Sequence, residues 1–355
     1  MQVISSKTIG RLVSVTAMAA VAGFAFMASM SDASAKERWK FAWAYPSSVA
    51  GHGDVQRRIA EKVNTLSGGE FELKTYEPGA LVPMMEYFDA ISQGSIDVAY
   101  AAYAFWTGKE PSLALFSSYP FGPDGLEFNA WFKYGGGNEL LDEVAKKHNQ
   151  KVLICGTHSP EASGWFREEI TSLDQLKGMK MRIFGLGGRT LEKLGVNSQV
   201  MAGGDIYPAL ERGVIDAAEF SMPLMDITMG FHEIAKHYYF PGWHQTYSAV
   251  HLIMNRDKWD GLDPRWQMLL QVVCDSETIE FLSHGEAGNA AALDQLRAKG
   301  VNIHRWNDEF LAAFKKSWEE VAQEFIDSDP LFKKIWESQQ AFRATYAEWN
   351  RLAKP

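Results

Sequence analysis

The sequence predicts an α/β fold built as two similar lobes, on three observations. Residues 39–92 alternate between strand-like and helix-like apolar patterns. A unit of helix, glycine, Ile-Asp and short strand occurs twice, about 120 residues apart. The 355 residues, 46% of them hydrophobic, are enough for two cored domains at roughly 150 residues each.

The elements follow in order. Trp39 to Tyr45 alternates and reads as a first strand. Val55 to Leu66 has helical spacing and stops at Ser67-Gly68-Gly69. Phe71 to Tyr76 is a second strand and Met84 to Ser92 a second helix, the order expected of a largely parallel sheet. Further strands are read at Lys151 to Cys155, Lys180 to Phe184 and Ala249 to Met254. Gly185-Leu186-Gly187-Gly188 reads as a tight turn into a helix from Arg189 to Leu194.

The repeated unit is Ala90-Ile91-Ser92-Gln93-Gly94-Ser95-Ile96-Asp97 against Ala209-Leu210-Glu211-Arg212-Gly213-Val214-Ile215-Asp216. Each is a helix end, a glycine suited to the left-handed cap, then a strand. From Pro264 the chain turns mostly helical. Leu331, Ile335, Phe342, Tyr346 and Trp349 mark one apolar face of a terminal helix that covers either its own lobes or a second copy.

Residues 1–35 read as a secretory signal peptide. Lys7 and Arg11 precede an apolar stretch from Leu12 to Met30, and Ala33-Ser34-Ala35 supplies a cleavage site. Export with cleavage after Ala35 is the expectation. The formal charge of −9 lacks the basic face that holds phosphates, so no nucleic-acid partner is expected. Two cysteines make neither a disulfide framework nor a Cys-rich zinc site. One Cys155–Cys274 bridge stays open, but two unpaired buried thiols are expected.

Enzyme signatures do not hold up. His232 and His237 flank Glu233, but five residues turn a helix by about 140° beyond a full circle, so the pair diverges. Gly185-x-Gly187-Gly188 lacks the third glycine of a dinucleotide loop. No Gly-x-Ser-x-Gly elbow or Walker loop occurs. A binder, not an enzyme, is expected, without an organic cofactor.

Three stretches carry a family resemblance: Leu173-Asp174-Gln175-Leu176-Lys177-Gly178-Met179-Lys180-Met181-Arg182, Gly204-Asp205-Ile206-Tyr207-Pro208-Ala209-Leu210, and Gly213 to Glu219. With Pro241-Gly242-Trp243-His244 they resemble the extracytoplasmic solute-binding subunits of TRAP transporters. The last stretch and Ser328-Asp329-Pro330 resemble the branch that binds 2-oxo and 2-hydroxy monocarboxylates. The resemblance implies a two-lobed periplasmic binding protein fold with hinge strands, a long connecting helix and a helical C-terminus. The expected division is lobe I over 36–153 and 245–285, lobe II over 154–244, and a helical region over 286–355. It also implies membrane permease partners, and a homodimer through the helix from Leu331 to Trp349.

Arg182 matches the family's carboxylate-binding arginine, whose planar guanidinium can clamp two oxygens. The branch's cation site maps onto Glu161, Glu219, Phe220 and Gln245, with Phe replacing a Trp and the Gln and Glu positions exchanged. Its oxygen donors suit Na⁺ or Ca²⁺. The competing reading is a metal-free zwitterion binder for an ectoine-like or betaine-like solute, in which an acid faces a cationic nitrogen. Aromatic walls would then come from Phe220, Trp243, Tyr100, Tyr103 and Trp106, with Tyr103 favoured by the repeat. An exported hydrolase using the carboxylate pair is disfavoured, because Arg182 beside the pair opposes proton donation.

Overall fold

In the computed structural model, which describes residues 36–353, the chain forms two mixed sheets. The expected signal peptide lies outside the described residues. The strands and helices run β1 (Glu37–Trp43), α1 (His52–Leu66), β2 (Phe71–Tyr76), α2 (Tyr87–Ser92), β3 (Val98–Ala101), α3 (Gly125–Tyr134), α4 (Gly137–Lys147), β4 (Gln150–His158), β5 (Gly164–Phe166) and β6 (Lys180–Arg182). They continue α5 (Gly185–Glu192), β7 (Asn197–Gln199), α6 (Gly203–Glu211), β8 (Ala217–Ala218), α7 (Pro223–Asp226), β9 (His237–Phe240), β10 (Ser248–Asn255), α8 (Arg256–Asp260), α9 (Pro264–Ala298), β11 (Asn302–Arg305), α10 (Asp308–Ser328) and α11 (Pro330–Ala353). The glycines at 185–188 are therefore part of α5 and not a turn before it.

The first sheet has the order β2-β1-β3-β10-β4 and the second β11-β9-β5-β8-β6-β7. Both mix directions, with β1–β3, β9–β11, β6–β7 and β6–β8 paired parallel. β10 runs antiparallel to β3 and β4, and β5 runs antiparallel to β8 and β9. Two of the chain's passes between the sheets explain the antiparallel pairs. It leaves the first sheet by β4 and enters the second by β5, then leaves by β9 and returns by β10. Outgoing and returning strands lie side by side in both sheets and must oppose each other. All of β10 is buried, and it reads as a near-continuous apolar run for that reason.

The two crossing segments, 159–163 and 241–247, touch. Glu161 N donates to the Gln245 carbonyl at 3.1 Å. A Cβ at Gly242 would stand 2.1 Å from the Glu161 carbonyl oxygen, so only glycine permits this approach. The crossover begins after His158, because β4 pairs with β10 unbroken from Gln150↔Asn255 to His158↔Ser248 apart from one bulge. The expected boundary at residue 153 cuts that strand and has no counterpart.

The repeated unit folds the same way twice. Gly94 and Gly213 both have positive φ, 76° and 68°. Asp97 Oδ2 accepts the Lys40 backbone N–H at 2.7 Å, and Asp216 Oδ2 accepts that of Lys180 at 2.9 Å. Each aspartate thus ties the entry of its own strand to a parallel neighbour, at the middle of β1 or the start of β6.

Helix α9, 35 residues and about 52 Å at 1.5 Å per residue, connects the lobes. Its buried Glu277 pairs with Arg58 and Lys62 of α1 at 2.8 and 2.6 Å, and Asn289 accepts the Leu224 N–H of α7 at 3.0 Å. It runs through residue 285 without a break, so the expected boundary there has no counterpart either. The C-terminal region is not wholly helical, since β11 adds an edge strand to the second sheet. The start of α11 covers its own first lobe: Leu331, Phe332 and Ile335 are buried, and Gln339 donates to the Leu115 carbonyl at 2.8 Å. Trp349 and Leu352 at its end are exposed.

Cys155 and Cys274 form a disulfide, against the expectation of two free thiols. β4 packs along α9 and brings the two Cα atoms to 4.0 Å, a proximity across 119 residues that spacing in sequence does not reveal.

Candidate functional site

Arg182 ends β6 and Glu219 follows β8, its parallel neighbour, with Arg182 in register with Ala218. Such strand ends are where open α/β sheets present ligand-contacting groups. Both side chains are buried. Arg182 Nη1 donates to the Glu219 backbone carbonyl at 2.5 Å and to Glu219 Oε2 at 3.0 Å, and Phe184 N donates to the same Oε2 at 3.0 Å. Nε and Nη2 meet only the Met201 carbonyl, both at 3.4 Å. With Nη1 taken, Nη2 keeps protons to give.

Glu161 and Gln245 come from the two crossing segments. Gln245 Nε2 donates to Glu161 Oε1 at 3.0 Å, and His158 Nε2 lies 3.2 Å from the same oxygen. His158 Nδ1 is turned to the Ser159 carbonyl at 3.0 Å. Burial pushes the Glu161 carboxyl well above its ordinary range, and the Glu219 charge pushes it further. Burial also acts to raise Glu219, but the Arg182 guanidinium outweighs it and holds that carboxyl below the usual range. Burial lowers His158 to about 4.

Arg182, Glu161, Gln245 and His158 border a cavity of about 20 Å³, room for about one water molecule. Arg182, Glu161, Phe220 and Gln245 line it, and the Arg182 guanidinium lies 5.9 Å from the Phe220 ring centre. Glu161 Oε2, Glu219 Oε1 and Gln245 Oε1 are buried without a hydrogen-bond partner. Oxygen donors left bare in this way fit a hard cation, which would take both carboxylates ionised and use Glu161, Glu219 and Gln245 as its holders.

Four expected aromatic residues do not reach the cavity. Tyr103 turns into the core, donating from its hydroxyl to Gln150 Oε1 at 2.6 Å. Trp106 donates to the Met85 carbonyl at 2.8 Å, and Trp243 stacks on Phe314 at 4.6 Å. Tyr100 is wholly buried inside β3. It is the residue three past Asp97, as Glu219 is three past Asp216, but β8 ends at Ala218 and frees Glu219 while β3 runs on to Ala101. The walls come instead from Tyr45, His52, Phe105 and Phe184. Tyr45 and Phe184 follow β1 and β6, so the strand-end rule that picks Arg182 is also the signal for them. Tyr45 stacks on His52 at 3.7 Å, and Phe105 meets Phe184 edge-on at 4.8 Å.

A family model described as bacterial extracellular solute-binding protein, family 7, matches residues 42–329. A monocarboxylate 2-oxoacid-binding periplasmic protein of Nostoc sp. is 33% identical over 318 residues, covering 89% of this chain and 86% of that one. A TRAP transporter solute-binding protein of Bordetella bronchiseptica, a mixed-occupancy dimer with copurified calcium and picolinate, superposes with TM-score 0.88 at 34% identity, covering 90% and 95% of the two chains. A TRAP periplasmic solute-binding protein of Pseudoalteromonas atlantica with bound sodium and pyruvate gives TM-score 0.86 at 29% identity, over 90% and 97%.

Proposed function

Because the chain belongs to the bacterial extracellular solute-binding proteins of family 7, the TRAP type, we propose that its cavity captures a small 2-oxo or 2-hydroxy monocarboxylate together with a cation. One observation carries the reading. Two buried carboxylates, Glu161 and Glu219, keep bare oxygens close together next to Arg182, and Glu161 and Arg182 line one small cavity. Two acids against one arginine leave a deficit of positive charge, which a cation makes good. The similar proteins from Bordetella and Pseudoalteromonas hold calcium or sodium beside a small carboxylate.

The residues divide the work. Arg182 gives Nη2 protons to the ligand carboxylate, while Glu219 holds the guanidinium in place. Tyr45, Phe105, Phe184 and Phe220 exclude water and set the shape of the wall. Glu161, Glu219 and Gln245 would hold the cation, which would supply the positive charge that offsets the two carboxylates. The loaded protein passes its solute to membrane permease subunits from the periplasm, to which the signal peptide sends it. Among the described residues no helix is long and apolar enough to cross a membrane. Two chains pair through the exposed end of α11, where Trp349 and Leu352 lie uncovered; light scattering should return twice the chain mass.

A thermal-shift panel on residues 36–355 tests the ligand class. A ligand at about 100 times its Kd adds about 2.7 kcal/mol, so 2-oxo or 2-hydroxy acids should raise the melting temperature clearly. A rise with ectoine or betaine alone, indifferent to chelator, supports the zwitterion reading instead.

A further inference from the structure

His244 is 1% exposed, yet neither of its ring nitrogens has a hydrogen-bond partner. A buried imidazole normally satisfies at least one. Its position is fixed by packing. Trp243 meets the ring edge-on at 5.6 Å, and Gly187 in α5 leaves the room it occupies, since a Cβ there would stand 2.8 Å from the His244 Cβ. Nε2 lies 3.8 Å from the bare Oε1 of Glu219. One ligand atom from each of Glu161, Glu219 and His244 falls within 4.8 Å of the others. The bare Gln245 Oε1 belongs to the next residue.

We propose that His244 is a nitrogen ligand of the cation site, and that the site holds a first-row divalent metal such as Co²⁺, Mn²⁺ or Zn²⁺ more tightly than Ca²⁺. The inference rests on the cation reading above and deepens it. Ca²⁺ seeks six to eight oxygen ligands, and the side chains here leave three bare ones. First-row ions accept mixed nitrogen and oxygen donors and lower coordination numbers, so two carboxylates and an imidazole suit them.

The test is calorimetric titration of chelator-treated, tag-free residues 36–355 with Co²⁺ and with Ca²⁺, for the wild type and His244→Phe. The expected result is Co²⁺ at least tenfold tighter than Ca²⁺ in the wild type. The substitution should weaken Co²⁺ at least tenfold and move Ca²⁺ by less than threefold. Equal losses for both ions, or no loss for either, overturn the assignment. Should His244→Phe fail to fold, His244→Asn takes its place. Electron paramagnetic resonance of one equivalent of Cu²⁺ in the wild type reads the ligand directly: imidazole nitrogen couplings that vanish in the variant support the proposal, and their absence from the wild type overturns it. Binding of a 2-oxo acid with no affinity for either ion overturns both this proposal and the cation reading; Ca²⁺ binding without a Co²⁺ preference overturns this one alone.

Discussion

A single nitrogen of Arg182, Nη1, is held by two oxygens of Glu219, the backbone carbonyl at 2.5 Å and Oε2 at 3.0 Å. The arginine expected to clamp a ligand with a free planar edge is already half committed within its own lobe. This makes it a structural partner as well as an anchor. Removing one member of a buried pair costs about 3–5 kcal/mol, because the other charge is left uncompensated. Arg182→Ala should therefore lower the melting temperature as well as abolish ligand binding. Arg182→Lys keeps the charge but cannot serve Glu219 and a ligand together, and should weaken binding about 10- to 100-fold with a smaller thermal loss. An Arg182→Ala protein that melts like the wild type would show that the pair contributes nothing.

Glu161→Gln removes one of two adjacent buried carboxylates and keeps the volume. Cation affinity should fall by about tenfold or more, while the cation-free protein should become more stable, because the remaining Glu219 charge loses a like-charged neighbour. Denaturation in chelator, compared with calorimetry in added cation, reads both. A loss of stability in chelator would contradict the repulsion between the two acids.

The disulfide closes a loop across 119 residues. In the chain-entropy model such a link contributes about 5 kcal/mol. Exported protein unfolded without reductant should show no free thiol, and reductant or a Cys155→Ala/Cys274→Ala pair should lower the melting temperature by several degrees. Two titratable thiols in the oxidised, unfolded protein would mean that the bridge does not form.

His251 gives a pH dependence with a definite sign. It is buried in β10, where Nδ1 accepts the Tyr103 N–H and Nε2 donates to the Phe116 carbonyl, both at 3.2 Å. Burial lowers it from 6.5 to about 3. Between those values the unfolded chain binds the proton and the folded chain does not, so stability falls as pH drops below 6.5. One such group contributes about 1.4 kcal/mol per pH unit through this window. His52 and His158 are lowered in the same direction and add to the slope. His251→Gln should flatten the curve by one proton between pH 6 and 4; an unchanged slope would mean that the native ring is already charged.

Much of the fold is legible in the sequence because it is written in local patterns. The strands at 71–76 and 248–255 match their alternation or apolar run, and the two Gly-x-Ile-Asp units fold alike, down to the paired Asp97 and Asp216 contacts to β1 and β6. The antiparallel pairs beside the parallel ones are not legible, because strand direction there depends on where the chain crosses between lobes, which no local pattern records. Tyr103 and Trp106 miss the cavity because a 3₁₀ turn follows Ala102 and presents Phe105 there in their place. Arg182, Glu161, Phe220 and Gln245 are legible through a family pattern. His244 belongs to the same pattern, but only its bare nitrogens beside Glu219 give it a role.

The most direct test of cation-dependent capture is calorimetric titration of pyruvate into chelator-treated protein, with and without added cation. The expected result is no measurable heat of binding without cation, and a saturable one-site isotherm once Ca²⁺ or a first-row divalent ion is restored. Equal affinity in chelator and in cation would contradict it, and would leave Glu161 and Glu219 without the charge partner their burial beside each other requires.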